Sequence, residues 1–178
     1  MQSTTASGLL TAIGWPKEIS LFYDSPGGVL TDLTKGEGTA YGACSFSLDG
    51  FAVIGRTAKQ TPKKTGQFVA IWKRTADGNT APYNENDRVD FLVINAVSED
   101  GCGQFIFPHS ALLHQGVFSS AKKPGKRGIR VYPPWDRPTS TQAQNTQEWQ
   151  LKYFLELSDH SAITLKEFLT AYRDTQGE

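Results

Sequence analysis

Apolar positions follow a helical rhythm at the two ends of the chain and an extended rhythm between them. Leu9, Leu10 and Ile13 share helical spacing within residues 1–15, and Pro16 ends that segment. Ser25-Pro-Gly-Gly28 and Lys35-Gly-Glu-Gly38 read as a turn and a loop. Five extended segments follow. Tyr41 to Leu48 and Phe51 to Ala58 flank Asp49-Gly50, a hairpin signal whose turn needs positive φ. Gln67 to Arg74 alternates, with Gln67, Val69, Ile71 and Lys73 on one face and Phe68, Ala70, Trp72 and Arg74 on the other. Val89 to Val97 is a continuous apolar run, as in a strand covered on both faces, and Gly103 to Phe107 is the fifth segment.

Pro108 to Gly116 predicts a short helix with Leu112 and Leu113 inward, and Gly128 to Tyr132 a short strand stopped by Pro133-Pro134. Thr139 and Gln142 form a capping box ahead of a helix from Ala143 to Leu157, with Ala143, Gln150, Tyr153, Phe154 and Leu157 inward. Thr164 and Glu167 form a second box, stapled by Ile163 and Phe168. Leu165, Phe168, Leu169 and Tyr172 share the face that follows. These elements predict an α/β (α+β) fold: a largely antiparallel or mixed central β-sheet of about five to six strands, flanked by helices. No repeat or linker divides the 178 residues, which predicts a single domain over 1–178.

Composition narrows the class. Two cysteines, Cys44 and Cys102, cannot build a disulfide scaffold or a thiolate zinc cluster. No apolar run approaches a membrane span, and the first 14 residues lack the features of a secretory signal. A cytoplasmic protein with no membrane partner is expected.

Net charge is zero, but the charges are segregated. Residues 50–75 carry six cations (Arg56, Lys59, Lys63, Lys64, Lys73, Arg74) and no anion. Residues 76–110 carry six anions and one cation, Arg88. Residues 111–135 carry five cations (Lys122, Lys123, Lys126, Arg127, Arg130) and no anion. Folded onto one face, the two basic segments would attract phosphates. Set on different sides, or paired with the acidic middle, they would be ordinary solvated charge. Spacing alone leaves both open.

The chemistry-bearing residues lie in the basic segments. Pro62 and Gly66 shape the first, and Gly125 and Gly128 let backbone approach an anion in the second. Arg127 offers a bidentate fork, and the spacing is not that of a P-loop. Tyr132 and Trp135 can stack on bases, or Trp135 can plug the sheet. Glu37 and Asp90 are candidate Mg²⁺ carboxylates, and Cys102 with His109 a candidate nucleophile and base. His109 and His114 are poorly spaced for shared metal ligation. Gly-x-Ser-x-Gly and His-Glu-x-x-His are absent.

Several stretches together resemble the MepB family. They are Thr57-Ala-Lys-Gln-Thr-Pro-Lys-Lys-Thr-Gly-Gln-Phe-Val69 with Trp72-Lys-Arg74, Asp90-Phe91, and Gln104-Phe-Ile-Phe-Pro108. Gly125-Lys-Arg-Gly-Ile-Arg-Val-Tyr-Pro-Pro-Trp-Asp136 and Thr146-Gln-x-Trp-Gln150 complete the set. The resemblance runs from about Glu37 to Phe154. It implies a small bacterial cytoplasmic protein with a restriction-endonuclease-like core, from a family with one member encoded beside a multidrug efflux pump. Nucleases of that fold carry an acid two residues before a lysine. Here Ile71 precedes Lys73, and the strand before ends in Arg56 and Lys59.

The leading expectation is a non-catalytic nucleic-acid-binding protein with no cofactor, no metal and low sequence specificity for DNA or RNA. Arg56, Lys59, Lys63, Lys64, Lys73, Lys126, Arg127, Arg130 and Tyr132 would form its site. The alternatives are a metal-dependent phosphodiesterase using Glu37 and Asp90 with Lys59 or Lys73, and a regulatory or adaptor protein linked to the drug-efflux response.

Overall fold

The apolar run beginning at Phe91 becomes a central strand, with Phe91–Ile94 and Ala96 buried. The computed structural model describes residues 4–24, 30–157, 167 and 169–172. Its elements begin with α1 (Ala6–Ala12), α2 (Lys17–Ser20), β1 (Leu30–Lys35), β2 (Cys44–Leu48) and β3 (Phe51–Thr57). Then come β4 (Lys59–Thr61), β5 (Lys64–Ala70), β6 (Lys73–Arg74), β7 (Thr80–Ala81), β8 (Phe91–Ser98) and β9 (Gly101–Pro108). The last named elements are α3 (His109–His114), β10 (Gly128–Val131), α4 (Thr141–Leu151) and β11 (Phe154–Glu156).

The main sheet has six strands in the order β1-β2-β3-β8-β9-β11. β3 and β8 are parallel and the other pairs antiparallel, so the fold is mixed α+β, as the hydrophobic pattern predicts. A parallel pair needs a crossover. Residues 58–90 supply it and carry β4 and β5, which β10 joins in a second sheet of order β10-β5-β4.

The two faces of the main sheet bury different partners. On one face, Ile54, Leu92, Ile94, Phe105 and Phe107 pack with Val69, Ile129 and Val131 of the small sheet and with Ile71 just past β5. On the other, Phe46, Val53, Phe91, Val93 and Ile106 pack with Leu10, Trp15, Ile19, Tyr23 and Leu169 from the helical segments. The period-2 alternation of β8 and β9 sorts their side chains between these cores.

Several local expectations hold. Asp49 and Gly50 both have positive φ (49° and 84°) in the two-residue β2–β3 turn. Gln67, Val69 and Ile71 are buried while Phe68 and Ala70 are half-buried, as their alternation requires. Trp135 is the plug: its ring lies so close to Gly101 that a Cβ there would come within 2.5 Å.

Others are corrected. Tyr41 belongs to a 3-10 turn (Thr39–Tyr41) closed by left-handed Gly42, so β2 starts only at Cys44. The segment 59–66 is no loop but β4, a two-residue turn and the start of β5. β1 was not expected at all: its Leu30 and Leu33 are too few to show a pattern, and its register shifts around Asp32, at φ 57°. Ser140, not Thr139, caps α4, and the helix ends at Leu151. Phe154–Glu156 instead completes the free edge of β9, where Gly103 leaves room for the Phe154 ring. Thr164, Leu165, Ile163 and Phe168 lie outside the described residues. Leu169 is buried, and Tyr172 sits edge-on to Phe91 at 4.8 Å between centroids.

Candidate functional site

Strand register decides where the two basic segments meet. β5 pairs with β4 on one side and β10 on the other, and both Lys59 and Arg130 stand opposite Phe68. Residues directly opposite in a ladder project to the same face. Lys59, Phe68 and Arg130 therefore form a row across the face of the small sheet turned away from the core. The neighbours on this face are aromatic. Tyr41 meets Phe68 edge-on at 6.2 Å, and the Lys59 ammonium stands 5.2 Å from the Tyr41 ring centre. Tyr132 covers Gly66, whose φ of 82° and close approach (a Cβ would lie 2.7 Å from the ring) both call for glycine. Arg130 is held by Nη1 donating to the Thr65 and Gly66 carbonyls, at 3.2 and 3.1 Å.

The remaining predicted cations are dispersed around this row. Lys63 lies in the β4–β5 turn and Lys64 at the start of β5, both exposed. Arg127 donates to the Thr80 carbonyl at 2.8 Å. Lys126 lines a cavity of about 370 Å³ shared with Arg130, Tyr132 and Gln150. Lys73 is not an exposed strand end: it is half-buried and ion-paired with Asp87 at 2.7 Å. Among the described residues, the acidic middle segment neutralises it alone of the predicted site cations.

Arg56 differs from all of these. Its side chain is 6% exposed, and it leaves the main sheet toward the small one. Nε donates to the Ala70 carbonyl at 3.2 Å and Nη1 to the Gly55 carbonyl at 2.8 Å. No carboxylate among the described residues pairs with it. It lines a pocket of about 420 Å³ together with Tyr41, Trp72, Tyr83 and the Gly36–Ala40 loop. At the pocket, Arg74 pairs with Glu37 at 2.7 Å and lies over Trp72 at 5.4 Å. Tyr41 joins this pocket to the Lys59–Phe68–Arg130 row.

Sequence reasoning missed Tyr41, Trp72 and Tyr83, because nothing local distinguishes a wall aromatic from a core one. It also missed the burial of Arg56. Ile54, two residues back and therefore on the same face of the strand, was the available signal.

The acidic candidates are held apart. Asp90 accepts the Ala52 N–H at 2.7 Å, at the start of β3. Glu37 sits at the Arg56 pocket, four residues further along β3, about 13 Å at strand rise. His109 donates Nδ1–H to the Val89 carbonyl at 2.8 Å, at one end of β9. Cys102 lies near the other end, about 23 Å away. Burial pushes the Cys102 thiol up, with Glu18 adding to the effect. No group of three His, Cys, Asp or Glu residues able to hold a metal occurs among the described residues.

The fold and this face define a mixed α+β protein with a basic, aromatic-lined surface on an accessory sheet. The sequence profile of the MepB-like family matches residues 35–156, which include every residue of that surface. The chain belongs to the MepB-like family. It is similar to a solved structure described as the crystal structure of MepB, with 33% identity and a TM-score of 0.73, covering 82% of this chain and 99% of that one. No curated protein matches the chain. Among the described residues no helix is long and apolar enough to cross a membrane.

Proposed function

We propose that the protein binds nucleic acid through the outer face of the small sheet, gripping phosphates with little sequence preference and without cleaving them. The observation that carries this reading is the register that puts Lys59 and Arg130, from two distant basic segments, on either side of Phe68. Cations at that spacing can neutralise successive phosphates, while Phe68, Tyr41 and Tyr132 offer surfaces on which bases stack. The row lies on a sheet face rather than on a helix that could enter a groove, so contacts to the backbone dominate.

Binding is favoured over cleavage by Ile71. On the restriction-like reading it takes the position of the carboxylate two residues before the lysine, and it is packed into the core at 1% exposure. Lys73, the corresponding lysine, is committed to Asp87. Location in the cytoplasm, with the nucleic acid, belongs to the same reading.

A fluorescence titration against labelled duplex and single strand at several salt concentrations tests this. With about six phosphates engaged, affinity falls with a log–log slope near −4 to −5. Lys59→Gln with Arg130→Gln flattens the slope by about 2. A salt-independent response in the unmodified protein removes the reading.

A further inference from the structure

An arginine guanidinium is cationic in a folded protein. Burying such a charge without a counter-ion is costly, so proteins pair it. Here two carbonyls take one N–H each from Nε and Nη1, and Nη2 has no partner among the described residues. The two ion pairs beside it, Lys73–Asp87 and Arg74–Glu37, cancel internally. The uncompensated charge at the pocket is therefore that of Arg56, 94% buried and lining the cavity.

The walls describe the rest of the ligand. Tyr41, Trp72 and Tyr83 line the same cavity, and its volume of about 420 Å³ lies within the range of small-molecule sites. An arginine fork takes a phosphate oxygen pair, and aromatic walls take a planar ring.

We propose that the Arg56 pocket binds a nucleoside monophosphate group, with the phosphate on the Arg56 guanidinium and the base against the aromatic walls. The group comes either as the free nucleotide or as the phosphorylated end of a strand. The second source rests on the nucleic-acid reading above, since Tyr41 lies in both the pocket and the outer row. A strand laid along the row would reach the pocket with its end. The first source stands without that reading.

The test is a titration of the full chain with adenosine, adenosine monophosphate, inorganic phosphate, and a short single strand with and without a 5′-phosphate. The nucleotide binds at least 10-fold more tightly than adenosine. The 5′-phosphorylated strand likewise exceeds its hydroxyl twin, because hydrogen bonds to a buried charge carry about 10- to 100-fold. Arg56→Gln abolishes both differences. Arg74→Gln, at an exposed side chain, leaves the Glu37 carboxylate unpaired at the pocket, reduces them several-fold by repelling the phosphate, and covers the case in which the first variant does not fold.

Equal binding of phosphorylated and unphosphorylated ligands by the unmodified protein overturns the proposal. Inorganic phosphate binding as tightly as the nucleotide overturns the role given to the aromatic walls. Salt-dependent strand binding that ignores the 5′-phosphate, with no binding of free nucleotide, sinks this inference and leaves the outer-face reading intact. Nucleotide binding without strand binding does the reverse.

Discussion

Two buried polar groups on opposite faces of the same strands are treated in opposite ways. On the helix-covered face, the Tyr23 hydroxyl donates to Gln104 Oε1 at 3.0 Å, and Gln104 Nε2 donates to Asn95 Oδ1 at 2.7 Å. Asn95 Nδ2 then donates to Thr57 Oγ1 at 3.0 Å. The chain runs from side chain to side chain as far as Thr57, and Tyr23, Asn95 and Gln104 are each at most 5% exposed. On the other face, one residue before Thr57, Arg56 is almost as buried but holds only backbone carbonyls and opens onto a cavity. A polar group whose partners are all internal supports the fold. One whose unmet donors line a cavity is placed to meet something that arrives.

The comparison breaks most visibly at Gln104. Gln104→Leu orphans the Tyr23 hydroxyl and the Asn95 carbonyl at once, and each buried unsatisfied group costs about 1–3 kcal/mol. Urea unfolding should show a loss of about 2–5 kcal/mol. A loss below 1 kcal/mol would mean that water reaches this face and that it is not sealed.

High pH probes the same seal. Burial pushes the Cys44 thiol up to about 12 even though Arg56 opposes the shift, and burial likewise raises the Tyr23 phenol. A folded pKa above the unfolded one favours the folded state below the unfolded pKa, and that contribution is lost as pH climbs toward the folded value. Stability therefore falls from about pH 9 for the thiol and from about pH 10 for the phenol. Cys44→Ala should remove about 1 kcal/mol from the stability lost between pH 9 and 10. The difference between variants isolates Cys44 from Cys102. Identical slopes would place the thiol in contact with solvent.

How much of this contrast was legible in the sequence depends on the range of the signal. The strand at Val89–Val97 and the Asp49-Gly50 turn are written locally, in a run of apolar residues and in a pair that tolerates positive φ. The alternation through Gln67–Ile71 told which side of β5 is core. β11 was hidden because Tyr153 and Phe154 fit a helical stripe equally well. Only the unpaired edge of β9 and the gap over Gly103 decide for a strand. The meeting of Lys59 and Arg130 depends on pairing across more than 60 residues, which no local pattern records. The polar chain from Tyr23 to Thr57 is likewise assembled from four separate elements.

The smallest expected effect is the sharpest test of the contrast, and it falls on Arg56. Arg56→Met removes a charge from a buried site and fills the space with an unbranched apolar chain. The gain is relief from desolvation, and the loss is two hydrogen bonds to the Gly55 and Ala70 carbonyls. These terms oppose each other, so stability in phosphate-free buffer should change by less than about 1 kcal/mol. Added nucleotide should then separate the two proteins. A ligand at 100 times its dissociation constant stabilises the unmodified chain by about 2.7 kcal/mol and leaves the variant unmoved. Thermal unfolding with and without adenosine monophosphate reads both halves. A loss of more than about 3 kcal/mol without ligand would make Arg56 a structural support like Gln104, and the two faces of the sheet would no longer differ in kind.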